Sequence, residues 1–210
     1  MTRDGAVAFV KQLLKPLNVS FYQDGSGGDT YILNLLQTGL DIMTSIKGIY
    51  AQYSNADDPL DDDTSMTLPA RVVDIKSMSL QETATSDPVS MYAGVNYMPH
   101  GTIVDFIEGP PPDDIPMELT GTITVTLTMM AVDLQGTGAT GSTVIDLPSP
   151  YDMAAVYYAC AILSQQSQSD RSYEWMTQFE SLKRLWLSSG QNDIIMLVHP
   201  RSDDAADITV

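Results

Sequence analysis

The sequence predicts an α+β fold: an amphipathic helical bundle of about four helices, an inserted small antiparallel β-sheet, and an extended C-terminal arm. Three observations predict it. Apolar residues recur at helical spacing toward both ends of the chain. Between them, residues 122–129 read TITVTLTM and alternate without a break, as a half-buried strand does. Beyond residue 190, a run of five apolar residues leads into Pro200 and an acidic end. The chain has 210 residues and is 43% hydrophobic, enough for one domain with a real core. Residues 1–190 are expected to form that domain; residues 191–210, the arm, read by themselves as a disordered tail, a strand on an edge or a segment that docks on a partner by strand addition.

The elements follow in order. Asp4 caps a first helix over about 4–16, with Val7, Val10, Leu13, Leu14 and Leu17 at helical spacing. Pro16 ends or kinks it near Lys15. Residues 23–28 form a turn. Asp29 caps a second helix over about 29–54, whose apolar face carries Ile32, Leu35, Leu36, Met43, Ile46, Ile49, Tyr50 and Tyr53. Asn34, Gln37, Asp41 and Lys47 face away from it. Residues 55–63, NADDPLDDD, hold five aspartates and read as an exposed acidic loop. A calcium loop of the EF-hand kind would need a central glycine and a glutamate at its twelfth position, and has neither here.

A β insertion is expected over about 68–134. Residues 72–80, VVDIKSMSL, read as a strand with imperfect alternation. Residues 81–88 are a polar connector. Tyr97, Ile103, Val104, Phe106 and Ile107 suggest short strands around a turn at Pro99 and Gly101. Residues 109–114 are a proline-rich loop. In 122–129, Ile123, Val125, Leu127 and Met129 face one way. Thr122, Thr124, Thr126 and Thr128 face solvent, which implies an antiparallel sheet.

The best-marked stretch is 144–187. Ser149 is an N-cap, Pro150 takes the first helical position and Asp152 completes a capping box, opening a helix over about 149–164. Asp170 caps another over about 170–188. Tyr151, Tyr158 and Ile162 on the first, and Trp175, Phe179, Leu182 and Trp186 on the second, form the core of a helical hairpin with an aromatic seam. That seam is expected to bury against the Ile123/Val125/Leu127 row and the second helix.

The net charge is −17, from 27 acidic and 10 basic residues. Phosphate neutralisation needs clustered Lys and Arg, so a free nucleic-acid binder is disfavoured. The charge fits a solvated surface, or one that repels DNA. There is no run of about 18 apolar residues to span a membrane, and the N-terminal stretch lacks the apolar segment of a secretory signal. Cys160, the one cysteine, fits a small buried apolar side chain, in a reducing compartment or one where disulfides are unnecessary. His100 and His199 have no partner at metal-ligand spacing. Gly136, Gly138 and Gly141 match G-x-G-x-x-G after a strand. The chain then runs extended to Pro148 instead of opening a helix at a phosphate, so a flexible loop is the better account. No catalytic residue, cofactor site or metal site is expected.

The order of parts resembles the head-to-tail adaptor (head-completion, or connector) proteins of tailed bacteriophages. The resemblance is carried by four places between about residues 28 and 187. Leu68-Pro69-Ala70-Arg71 leads into a strand after an amphipathic helix. Glu108-Gly109-Pro110-Pro111-Pro112-Asp113-Asp114 separates two strands. The Thr-rich strand runs from Thr122 to Val132. Asp146-Leu147-Pro148-Ser149-Pro150-Tyr151-Asp152 opens the hairpin with Trp175 and Phe179. Met129-Met130 stands where the family usually has Tyr-Tyr, and residues 81–98 are longer than expected. The resemblance implies a non-enzymatic virion protein of the neck, assembled in the host cytoplasm. About twelve copies would form a ring below the portal protein, continue the channel for double-stranded DNA without specific binding, and present a surface to tail or nozzle proteins. It also implies that residues 191–210 are a portal-docking arm, anchored by Ile194, Ile195, Met196, Leu197 and Val198. Alternatives are another phage neck or tail component (a tail terminator or tube-like protein), an acidic DNA mimic, and an enzyme or nucleotide-binding protein using the glycine loop.

Overall fold

The computed structural model describes residues 1–15, 26–56, 58–108, 118–166, 171–189 and 196–198. Within them the fold is α+β. Four helices are seen: α1 (Arg3–Leu14), α2 (Ser26–Ile46), α3 (Met153–Gln166) and α4 (Arg171–Ser188). Nine strands are seen: β1 (Ile49–Ser54), β2 (Leu60–Asp63), β3 (Ser65–Thr67), β4 (Val72–Gln81), β5 (Val89–Met91), β6 (Tyr97–His100), β7 (Ile103–Phe106), β8 (Leu119–Met129) and β9 (Met196–Val198). The chain divides into two compact units. One is helical, Met1–Gly48 with Met130–Gly190; the other is β, Ile49–Met129 with Gln191–Val210.

The helical unit is built around α3, which packs on α1, α2 and α4. Its buried residues lie almost all around it: Ala154, Ala155, Val156, Ala159, Cys160, Ala161, Leu163 and Ser164. Most are small, and small side chains let neighbouring helices come close. At Gly39 of α2, a Cβ would stand 2.9 Å from the Ala155 Cα and 3.1 Å from the Tyr158 Cβ. Around this crossing α2 buries Ile32, Leu33, Leu36, Leu40 and Met43, and α1 buries Ala6, Val7, Val10 and Leu14.

The helix expected over 29–54 is two elements. It starts at Ser26 and ends at Ile46, and Ile49–Ser54 is β1. Ile49 and Tyr53 are four residues apart, a spacing that keeps one face on a helix and also on a strand. The burial of Ile49, Ala51 and Tyr53 follows the strand period. The β insertion therefore begins at Ile49, not near 68, and ends at Met129, not near 134. α1 begins at Arg3 with Thr2 as its N-cap, whose hydroxyl accepts from the Gly5 amide. The helix expected from Ser149 begins at Met153, because residues 148–152 close a turn in which the Pro148 carbonyl accepts from the Tyr151 and Asp152 amides. Pro16, the 23–25 part of the first turn, Asp170 and the 109–114 loop lie outside the described residues.

In the β unit, β5, β4, β8, β1 and β9 lie side by side in that order, with β2 also paired to β8. All pairings are antiparallel except β1 with β9. β3, β7 and β6 form a second, three-stranded antiparallel sheet. β1 and β8 pair along the whole of β1, from Ile49↔Met129 to Ser54↔Thr124, so the insertion enters and leaves side by side. The imperfect alternation in 72–80 has a structural cause: the β4–β8 register shifts between Val72 and Asp74 and again between Ile75 and Ser77, as at β-bulges. Ile123, Val125 and Leu127 are fully buried, in a core made with Ala51, Met66, Leu80, Phe106 and other residues of the β unit itself. The expectation that this row is the platform for the hairpin is corrected accordingly. Thr122, Thr124 and Thr126 are half-exposed, whereas Thr128 is buried. The acidic stretch expected as a loop contains β2, leaving Asp61, Asp62 and Asp63 exposed.

Two glycine substitutions test these close approaches. Alanine at position 39 gains about 0.5–1 kcal/mol of helix propensity, but pressing a methyl group onto the α3 backbone costs about 1–3 kcal/mol. Gly39→Ala is expected to lower stability in urea unfolding on balance. Gly121, at φ 131°, would place a Cβ 2.5 Å from the Gln81 carbonyl oxygen. Gly121→Ala should cost at least about 2 kcal/mol, from strain and overlap together.

Candidate functional site

The glycine loop has a structural occupation. The Thr143 carbonyl accepts from the Arg3 amide at 2.8 Å and the Gly141 carbonyl from the Asp4 amide at 3.1 Å. The Arg3 guanidinium donates to the Ala139 carbonyl at 3.1 Å. Thr2 takes the next two amides of the helix, Gly5 through its hydroxyl and Ala6 through its carbonyl. The free N–H groups of a helix start are what a phosphate would use. Here the first four of α1 are already satisfied, and the loop that matched G-x-G-x-x-G supplies two of the acceptors.

Polar residues that the sequence placed on the outer face of the second helix carry much of the local architecture. The Gln37 side-chain oxygen accepts from the Leu134 amide at 2.7 Å, and the Asn34 side-chain oxygen accepts from the Gln135 side chain at 2.8 Å. The buried Thr44 hydroxyl accepts from the Ala131 amide at 3.1 Å. Asp146 receives the Val132 amide on both carboxylate oxygens, each at 3.0 Å. Together they anchor the segment that follows β8. Lys47 does the same for α4. Its ammonium donates to the Trp186 carbonyl at 3.0 Å and to the Ser189 carbonyl and hydroxyl at 2.7 Å each. It also lies 4.8 Å from the centre of the Trp186 ring. The Trp186 indole N–H donates back to the Lys47 carbonyl at 3.0 Å. A cation thus caps the carbonyl end of α4, while an indole caps the end of α2. The signal in the sequence was a lysine just before Gly48; its partner, 139 residues later, had none. In the β unit, Asn55 plays a similar part, its side-chain oxygen accepting from the buried Ile123 amide at 2.6 Å.

The aromatic hairpin pairs Tyr151 with Trp186 (ring centres 5.1 Å apart), Tyr158 with Phe179 (5.2 Å) and Tyr157 with Trp175 (5.8 Å). Tyr151, in the turn before α3, and Tyr158 are seven residues apart, as are Phe179 and Trp186, so the two segments meet at matched positions. Phe179 and Trp186 are buried, while Tyr151, Tyr158, Ile162, Trp175 and Leu182 are half-buried at the rim. The seam is packing and converges on no open site.

Among the described residues the candidate groups for chemistry do not come together. His100 is exposed, 3.5 Å from Asp105 on the paired strand; His199 lies outside the described residues. Among the described residues no three metal-ligating side chains cluster. A shallow cleft of about 340 Å³ in the β unit is lined by Val72, Val73, Asp74, Ala93, Tyr97 and Pro99, among others. Its carboxylate, Asp74, is held by Lys76 at 2.6 Å. Burial, with the Asp74 charge adding, raises the Tyr97 phenol above its usual value, so that hydroxyl is neutral at neutral pH. Cys160 is fully buried, and burial pushes its thiol up to about 12. Of the expected arm anchor, Met196, Leu197 and Val198 form β9, parallel to Ala51, Gln52 and Tyr53 of β1. Ile194 and Ile195 lie outside the described residues.

Charge separates with the units. Residues Ile49–Met129 carry 13 acidic and two basic residues, a net −11 of the chain's −17. Asp58, Asp61, Asp62, Asp63, Asp74, Glu82, Asp87, Asp105, Glu108 and Glu118 are exposed there. The helical portions, Met1–Gly48 and Met130–Gly190, carry ten acidic and seven basic residues, a net −3. No helix among the described residues is long and apolar enough to cross a membrane. No family model matches the chain, and no curated protein matches it.

Two measurements follow from the geometry. Lys47→Met removes a charged donor from three acceptors and should lower stability by about 2 kcal/mol, read as an earlier urea midpoint. For Cys160, a thiol raised to about 12 is neutral at pH 8, with about one molecule in ten thousand as thiolate. Native protein should therefore resist alkylation at pH 8, and the denatured chain should react rapidly.

Proposed function

We propose that this chain is a structural virion protein of the phage neck: copies form a ring below the portal, join head to tail and continue the DNA channel. The observation that carries the reading is the charge separation. Residues Ile49–Met129, at net −11 with ten carboxylates exposed, turned toward a channel, repel DNA phosphates, so a passing genome is not retained on the wall. The near-neutral helical unit is suited to packing and assembly. The layout gives further support, since a β insertion between the second and third helices is what the resemblance to head-to-tail adaptors implies. The engagement of the glycine loop by α1 favours this reading over a nucleotide-binding one.

In this function the partners are further copies of the chain, the portal protein and tail or nozzle proteins, with DNA passing through. Residues 191–210 are the portal-docking arm. Met196–Val198 lies on β1 as a strand, which supports a capacity for strand addition; docking of those three residues on a portal competes with that pairing.

Negative-stain images of the purified protein, alone and with portal, are expected to show rings that stack on the portal. Tubes or persistent monomers would count against the reading. Removing residues 191–210 should leave a folded protein that no longer attaches to portal, with circular dichroism confirming the fold; normal attachment of the shortened chain would remove the arm from the mechanism. Added nucleotides should give no thermal stabilisation, whereas a true ligand at a hundredfold excess over its Kd contributes about 2.7 kcal/mol.

A further inference from the structure

The β-sheet has one edge whose occupant comes from the far end of the chain. β1 is paired on one side with β8 along all its residues, Ile49 to Ser54. On the other side β9 pairs with Ala51, Gln52 and Tyr53. β9 is the outermost strand and the one parallel member of its sheet. It is reached from α4, whose end is held at Ser189 by Lys47. The chain from Ser189 to Met196 spans at most about 25 Å when extended.

We propose that the edge of β1 covered here by the chain's own β9 is a strand-acceptor surface that takes residues 196–198 of a second copy of this chain when copies assemble. This rests on the ring reading above and goes beyond it by naming what joins neighbours. Three residues of parallel pairing are a small contact: the ordering of those residues offsets much of what their hydrogen bonds contribute. Such a pairing is reversible, and its donor is set by local concentration. In a free chain the nearest donor is the chain's own β9. In a ring, the identical segment of the neighbour is held at the same edge at high effective concentration, and the exchanged contact is residue for residue the one already formed. Exchange of an identical element is a low-cost way to link copies. It also leaves no β1 edge open to uncontrolled strand addition. The portal-docking role then falls to the residues on either side of β9.

The test uses two single variants of the full chain, Gln52→Cys and Leu197→Cys, mixed in equal amounts, assembled and oxidised. Gln52 is half-exposed and is the Cα partner of Leu197, and paired strands stand at a separation that a disulfide spans. In this mixture a disulfide between positions 52 and 197 forms only between copies, and the buried Cys160 thiol stays silent. Peptide mass spectrometry is expected to find that link at about tenfold higher yield in the assembled fraction than in the monomer fraction. The double variant serves as the control for pairing within one chain. If rings form, the double variant closes its own disulfide, and the mixture gives no 52–197 link, exchange is overturned and the ring reading stands. If no assembly forms at any concentration, with or without portal, both fall.

Discussion

The helical unit depends on how closely α2 and α3 approach at Gly39 and Ala155. A Cβ on Gly39 would stand 2.9 Å from the Ala155 Cα, and α3, so approached by α2, also packs on α1 and α4. α3 is buried on nearly all sides because its side chains are small enough to admit α1, α2 and α4 around it. A larger residue at the crossing would move α2, and with α2 the Lys47 cap, the Thr44 hydroxyl that receives Ala131, and the Gln37 amide that receives Leu134. The aromatic seam is secondary to this contact. Tyr151, Tyr158 and Trp175 rim the hairpin and hold α4 against a helix already fixed by its alanines.

The carboxyl end of α2 is also where the chain changes unit. β1 begins just past Lys47 and Gly48, and within the β unit the last residue of β8, Met129, pairs with the first of β1, Ile49. Just after β8, the Ala131 amide donates to the Thr44 hydroxyl of α2 and the Val132 amide to the Asp146 carboxylate. Buried polar groups without partners are costly, so these residues are committed to structure. Most of the net negative charge lies elsewhere, in Ile49–Met129, where ten carboxylates are exposed on strands and turns and have few structural duties. That division leaves a charged surface free to act on a partner while the helical unit holds its shape.

Much of the fold was legible because its signals are local. The alternation of 122–129, the periodicity of the helices, the matched aromatics of the hairpin and the turn at Gly101 each arise within a few residues. Where the reading went astray, two periods coincided or a distant residue intervened. Ile49 and Tyr53 suit a helix and a strand equally, and only pairing with Thr124 to Met129 makes that stretch β1. The irregular VVDIKSMSL was a strand with two register shifts, which depend on the partner strand. Asn34, Gln37 and Lys47 looked solvated because an outward polar residue on an amphipathic helix normally is.

The sequence by itself determined the α+β class, the four helices, the central Thr-rich strand, the acidic balance and the apolar run in the C-terminal segment, since composition and short-range spacing are enough for these. Tertiary structure alone decided that the acidity concentrates on one compact unit, that the glycine loop serves the start of α1, and that residues 196–198 seal the edge of β1. Each of those depends on pairing between residues tens to more than a hundred positions apart, and long-range pairing leaves no periodic trace in the chain.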